Sequence, residues 1–291
     1  MQPNQLKRAL PSPELGAMLR HWRDLRGTSQ LELSGHTGFS QRHISFIESG
    51  RSSPSRQTLM VIAQALDVPL GERNSLLLAA GYAPIYSEPA WNAAEMQGVT
   101  RALERMLRQH EPFPALVMDR YWNILVANEA SPRFFNHFIN MKARTGPRNM
   151  LHLMFDPDGM RPYVVDWDEV APTLIQRIAR EAVGHVTDAK TQELIAALLS
   201  YPGAKAEWKI PRAMATPPIL PVIPLGFIHS SGTLRYFSMV TTVGTPQTVT
   251  AQELRIECLF PVDETTEALH LELMSRSQDW EASSRDTPSS E

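Results

Sequence analysis

Apolar positions in the first eighty residues recur at steps of three and four. Leu15, Met18, Leu19, Trp22 and Leu25 form one stripe, which predicts a helix over Glu14–Arg26. The next stretch, Gly27 to Arg56, reads as two short helices around a tight turn. Ser29 caps the first, and Glu32, three residues on, reaches back in a capping box. Leu33 points inward. Gly38 stands where the turn needs a positive φ, which glycine adopts without steric penalty. Ser40 caps the second helix, Gln41 to Glu48. In it Ile44 and Ile47 share one face, while Gln41, Arg42 and Ser45 share the other. Gly50 closes it. Pro54-Ser55 opens a fourth helix, with Leu59, Ile62, Ala63 and Leu66 on one side. A fifth runs from Pro69 to Ala80 and stops at Gly81.

Beyond the proline-containing Ala83–Pro89 the pattern alternates between two periods. Val99, Leu103, Met106 and Leu107 predict an amphipathic helix over Gln97–His110. Ala115–Met118 and Trp122–Ala127 read as a strand pair around Asp119-Arg120. Asn128 caps a following helix that carries Phe134, Phe135 and Phe138. Asn149–Phe155, Trp167–Val183 and Thr191–Leu199 have helical spacing. Pro217, Pro218, Pro221 and Pro224 enforce an extended segment. Leu225–Ser230 and Thr233–Val243 form a hairpin at Ser231-Gly232, and Glu253–Phe260 alternates as a further strand. Its face of Leu254, Ile256, Cys258 and Phe260 is the apolar one. Glu264–Met274 is the last helix. The expected architecture is an all-α N-terminal domain of five helices followed by an α+β domain with a five-stranded antiparallel sheet. Its divisions are a flexible arm (1–13), the helical domain (14–82), a linker (83–96), the α+β domain (97–274) and a disordered polar tail (275–291).

Composition narrows the function. No run approaches the roughly 18 apolar residues of a membrane span. The N-terminus lacks the apolar core of a signal peptide, so a cytoplasmic protein without a membrane partner is expected. A single cysteine, Cys258, excludes an internal disulfide and a multi-thiolate zinc site. The net charge is −3, but it is uneven. Residues 1–82 hold nine Lys/Arg and six Asp/Glu, a balance of +3, which leaves −6 for the remainder. A basic head on an acidic body confines contact with nucleic acid to the head.

The two central helices have the geometry of a helix-turn-helix, whose second helix enters the major groove of DNA. Gln41 and Arg42 carry paired groups suited to the edges of adenine and guanine. Gln30, at the start of the first helix, and Arg51, just past the second, are placed for phosphates. With Ser40, His43 and Ser45 they complete the candidate DNA-contacting set. Arg20, Arg23 and Arg26 are either further phosphate contacts or solvated charges.

Gln30, Leu33, Gly38, Ser40, Ile44, Ser45, Glu48, Gly50 and Pro54 match the pattern of the XRE family of helix-turn-helix regulators, which this region resembles. The chain departs from it at Ser34, where a small Ala is usual, and at Gly35, which weakens the first helix by roughly 1 kcal/mol. Arg42, His43, Ser45, Phe46, Glu48, Gly50 and Arg51, with the later run Arg73 to Pro84, resemble the narrower MmyB-like branch. That resemblance implies a bacterial transcription regulator with a PAS-like ligand-binding C-terminal domain and a fatty-acyl type of ligand.

No nucleophile-elbow context surrounds a Ser/His/Asp set, and His185 and Asp188 end a helix. The acids Asp156, Asp158, Asp166, Asp168 and Glu169 lack the spacing of a calcium loop. No catalytic residue, metal or cofactor is therefore expected. Trp122, Phe134, Phe138, Met154, Phe155, Met160, Tyr163 and Trp167 suit a plastic apolar cavity and serve a packed core equally well. Asn128 and Arg161 are the candidates to orient a ligand's carboxylate or amide; the same residues also read as a helix cap and a surface charge. The expected partners are an operator in double-stranded DNA, a second copy of the chain and an apolar small-molecule effector such as a fatty acid. The alternative is a constitutive DNA-binding protein whose C-terminal domain only dimerises.

Overall fold

The computed structural model describes residues 13–182, 189–209 and 225–285. The proline-rich segment, His185, Asp188 and nearly all of the N-terminal arm lie outside the described residues. The chain divides into two compact units, one mainly of 13–89 with 245–252, the other mainly of 90–181, 189–244 and 253–285.

The first unit, the head, holds helices α1 (Pro13–Leu25), α2 (Gln30–Thr37), α3 (Gln41–Glu48), α4 (Arg56–Ala65) and α5 (Leu70–Ala79). Helices α2, α3 and α4 start at capping serines, Ser29, Ser40 and Ser55. Ser29 Oγ accepts from Glu32 N at 3.1 Å, and Glu32 Oε2 accepts from Ser29 N at 2.7 Å, which closes the capping box. These bonds also hold the Glu32 carboxyl below the usual range. Gly38 turns at φ 73°. Leu15, Trp22, Leu33, Ile44, Ile47, Leu59 and Leu76 make one buried core. Gly16 lets α1 cross the end of α3, since a Cβ there would collide with the Glu48 carbonyl. Pro69 offers no capping side chain to α5. Gln252 Oε1 instead accepts from Leu70 N at 2.6 Å. The same segment is pinned by Val249 N to Ser87 O (2.9 Å) and Thr250 Oγ1 to Pro89 O (2.7 Å).

In the second unit, α6 (Gln97–Gln109) precedes β1 (Ala115–Met118), β2 (Ile124–Ala127) and α7 (Ala130–Asn136). Then come α8 (Met150–Phe155), α9 (Trp167–Ala182) and α10 (Ala189–Leu199), followed by β3 (Leu225–His229) and β4 (Gly232–Thr241). The connection out of β4 carries α11 (Val249–Glu253) and leads into β5 (Arg255–Pro261) and α12 (Glu264–Arg285). The five strands form one antiparallel sheet in the order β2-β1-β5-β4-β3, as the alternation predicted in kind. Leu116, Trp122, Phe134, Phe155, Phe227 and Tyr236 share its core.

Two local expectations are corrected and one element is added. Trp122 is outside the strand, with φ 66°, because Asp119 Oδ1 accepts from both Tyr121 N (2.8 Å) and Asn123 N (3.0 Å) and widens the turn. The short helix α11 was not foreseen. The last helix continues past Met274 to Arg285 where a disordered tail was expected; once nucleated, a helix extends at little cost through a polar sequence. Among the described residues no helix is long and apolar enough to cross a membrane.

Candidate DNA-contacting surface and effector cavity

Helix α3 is amphipathic as its sequence requires. Ile44 and Ile47 are each 1% exposed, while Gln41 and Arg42 are exposed and His43 and Ser45 half-buried. Ser40 Oγ accepts from His43 N at 3.2 Å and so serves the cap. Behind the helix lies a charged hub that sequence reasoning missed. Glu48, 5% exposed, accepts from Arg23 Nε at 2.8 Å, Arg23 Nη2 at 3.3 Å and Gln30 Nε2 at 2.9 Å. These bonds tie α1, α2 and α3 together. Glu48 also raises the Arg23 guanidinium above its ordinary range, chiefly through their hydrogen bond. One of the two N–H groups of the Gln30 amide, a residue expected to meet a phosphate, is thus given to Glu48. The signal was the acid at the end of the apolar face of α3: a buried carboxylate needs donors, and the flanking helices hold them.

The head's arginines divide into two kinds. Arg20, Arg23, Arg26 and Arg73 donate to protein carbonyl or carboxylate oxygens. Arg42 and Arg51 lie over the Phe46 ring, at 5.1 and 5.8 Å, and Arg56 over Tyr82 at 5.6 Å. None of these three has an oxygen partner among the described residues. A ring holds a guanidinium while leaving its five N–H donors free.

The second unit holds a partly open cavity of about 210 Å³ between the sheet, α8 and α9. Leu116, Leu225, Phe227, Ser238, Glu257 and Leu259 line it from the sheet side. Met150, Leu151, Met154, Val170, Thr173, Leu174 and Arg177 come from the two helices, joined by Pro114, Trp122 and Phe135. The lining is apolar apart from Thr173, Arg177, Ser238 and Glu257. The Arg177 guanidinium stands 4.6 Å from the centre of the Trp122 ring.

Of the ligand candidates read from sequence, Trp122 and Met154 line this cavity. Phe134 and Phe138 pack with Phe227 in the aromatic core, Phe155 packs against Trp167, and Tyr163 against Phe138. Asn128 is 5% exposed, and its polar atoms are spent. Its Oδ1 accepts from Ala115 N and Ser131 N, and its Nδ2 donates to Leu107 O and Phe113 O. It ties α6, β1 and α7 together and leaves nothing for a ligand. Arg161 donates to the Pro202 carbonyl and lies over Trp167. The cavity's cation is Arg177 instead. Of the acid run, Asp156 pairs with Arg144 at 3.2 Å and Asp168 with Lys205 at 3.1 Å.

A helix-turn-helix family model matches residues 19–73. The model of the MmyB-like transcription regulator ligand binding domain matches residues 99–273, more than half of the chain. Comparison with curated proteins finds no match. Helix α3 falls inside the first match and the lined cavity inside the second. The chain therefore belongs to the MmyB-like transcription regulators, with a DNA-binding helix-turn-helix head joined to a ligand-binding domain.

Proposed function

We propose that the protein is a one-component regulator whose affinity for an operator is set by an apolar, fatty-acyl-like effector in the Trp122–Arg177 cavity. Two copies present their α3 helices to a near-palindromic site with half-sites about 34 Å apart. Gln41 and Arg42 read base edges, and Ser40, His43, Ser45 and Arg51 complete the contact. The effector's chain lies among Leu116, Met154 and Leu174, and its acidic or carbonyl end meets Arg177. The cavity is smaller than the roughly 300–1,000 Å³ of ordinary small-molecule sites. A short acyl chain fits best, and longer ones require Met150 and Met154 to shift, which their flexible thioethers allow.

The observation that carries this reading is the route of the chain. Ser238 on β4 and Glu257 with Leu259 on β5 line the cavity. The connection between those strands, residues 245–252, belongs to the head and caps α5 through Gln252. An occupant that moves either strand pulls on that connection. An effector can shift operator binding only by its differential affinity for the two resulting arrangements.

Native mass spectrometry of the purified protein is the first test. A dimer mass with a co-purified acyl ligand supports the reading; a ligand-free mass in every preparation, with added fatty acid also failing to bind, leaves the constitutive dimeriser. Gln252→Ala should lower head stability by about 1–3 kcal/mol, because it orphans the buried Leu70 N–H. It should also weaken the effector's influence on DNA affinity. Undiminished influence would remove the connection from the mechanism.

A further inference from the structure

Phe46 lies on the recognition helix but does not belong to the head's apolar core. Its ring is half-buried all the same, and the groups standing over it are the Arg42 and Arg51 guanidiniums. Its carbonyl is equally engaged: it accepts from Arg51 N at 2.8 Å, Ser52 N at 3.1 Å and Ser49 Oγ at 3.3 Å. Arg42 sits in the first turn of α3, and Arg51 lies just beyond its end. One residue thus fixes the backbone of the segment carrying one arginine and offers a shared surface to both. Neither contact consumes an N–H donor, so both cations stay available for an external acceptor.

We propose that Phe46 is a positioning residue for DNA recognition, its ring coupling Arg42 to Arg51 so that a base-edge contact and a phosphate contact are set together. This rests on the reading that those two arginines touch DNA. Held on one ring, they act as a unit. Loss of either frees the other from a shared arrangement, so their effects on binding are less than additive. A leucine at position 46 keeps apolar bulk but has no quadrupole to hold a cation, whereas tyrosine keeps the ring.

The test uses the full-length protein and a duplex selected from a random-sequence pool by the wild type. Binding is followed by fluorescence anisotropy across a salt series. Phe46→Leu is expected to weaken operator binding roughly tenfold, with Phe46→Tyr restoring it to within about twofold. Arg51→Ala should reduce the salt slope by about 0.9, the signature of one lost phosphate contact. In the wild-type background Arg42→Ala and Arg51→Ala should combine sub-additively; in the Phe46→Leu background that coupling should vanish. Additive losses with Phe46 in place overturn the proposal, whether or not the leucine variant folds well. So does wild-type binding by Phe46→Leu while each arginine variant is weakened. If neither arginine variant weakens binding, the assignment of those arginines to DNA fails instead.

Discussion

The head and the sheet unit both bury polar groups, but they place them differently with respect to their working surfaces. In the head, Glu48 sits on the back of the recognition helix and joins Arg23 and Gln30, so one network holds both the fold and the reading element. In the sheet unit, the buried polar groups Asn128, Ser131, Tyr236 and His270 bond to one another and to backbone, and none of them lines the cavity. The cavity's own polar groups are Thr173, Arg177, Ser238 and Glu257. Changes behind α3 are therefore expected to disturb stability and DNA binding together, and changes in the cavity lining to alter ligand binding with the Asn128 and His270 framework in place.

The largest effect is expected from Glu48→Ala. It removes the buried carboxylate from Arg23, whose side chain is only 13% exposed, and leaves that guanidinium the exposed Asp24 carboxylate at 2.9 Å and the Thr28 carbonyl at 3.0 Å. Breaking a buried pair costs about 3–5 kcal/mol, a large share of a small domain's total stability. Calorimetry should show the head's transition falling while that of the sheet unit stays in place. A head that melts as the wild type does would remove the shared-network half of the comparison.

Arg177→Met comes next. It retains apolar bulk beside Trp122 and deletes the cation, which should weaken binding of a carboxylate-headed ligand by about 1.5–3 kcal/mol, the usual size of a charge-assisted hydrogen bond. Titration by tryptophan fluorescence checks this, and equal affinity for a fatty acid and its methyl ester would count against the assignment. Arg42→Ala should cost about 1–3 kcal/mol of operator binding and relax choice at one base pair. Its effect on stability should stay within roughly 0.5 kcal/mol, because its side chain is exposed. Losses that are equal on every sequence would mean that it touches phosphate alone.

A graded effect is expected from pH. His270 Nε2 donates to the Pro112 carbonyl at 2.9 Å, and Nδ1 shares a 2.8 Å hydrogen bond with the Tyr236 hydroxyl, which the neutral ring satisfies by accepting from the hydroxyl. Burial holds its pKa below the usual histidine range, and the nearby His137 and His110 push it the same way. With the folded value depressed, the unfolded chain binds more protons between the two values. The contribution is complete above about pH 6.5 and is lost as pH falls through the folded pKa. The melting temperature of the sheet unit should decline over that window, and His270→Gln should flatten the decline. An unchanged profile in the variant would place the acid sensitivity elsewhere.

The same contrast explains what could be read in advance. The caps and the turn of α2 and α3 bond within a few residues, so they, Gly38 and the apolar face of Ile44 and Ile47 were visible in the chain. Glu48 was visible too, but its donors Arg23 and Gln30 come from other helices and needed coordinates. In the sheet unit, strands could be read from alternation, yet β1 pairs with β5 across most of the domain, Ala115 against Cys258. Cavity and core also draw on the same residue types. Trp122 lines the space while Phe134 fills the interior, and no spacing distinguishes them. On β5 the alternation singled out Leu254, Ile256, Cys258 and Phe260, but it is Glu257 and Leu259, on the opposite face, that line the cavity. Arg161 and Arg177 look alike in sequence; only the packing of α9 brings the second to the cavity wall.

The central claim is that occupancy of the cavity changes the head's hold on DNA. Its most direct test is an anisotropy titration of a selected operator duplex with wild-type protein, with and without a saturating medium-chain fatty acid, at fixed salt. Tryptophan fluorescence in parallel confirms occupancy. The account predicts a change in Kd of about fivefold or more, the range of ordinary allosteric coupling, that shrinks in Gln252→Ala. A fatty acid that fills the cavity and leaves the wild-type Kd unchanged would contradict it.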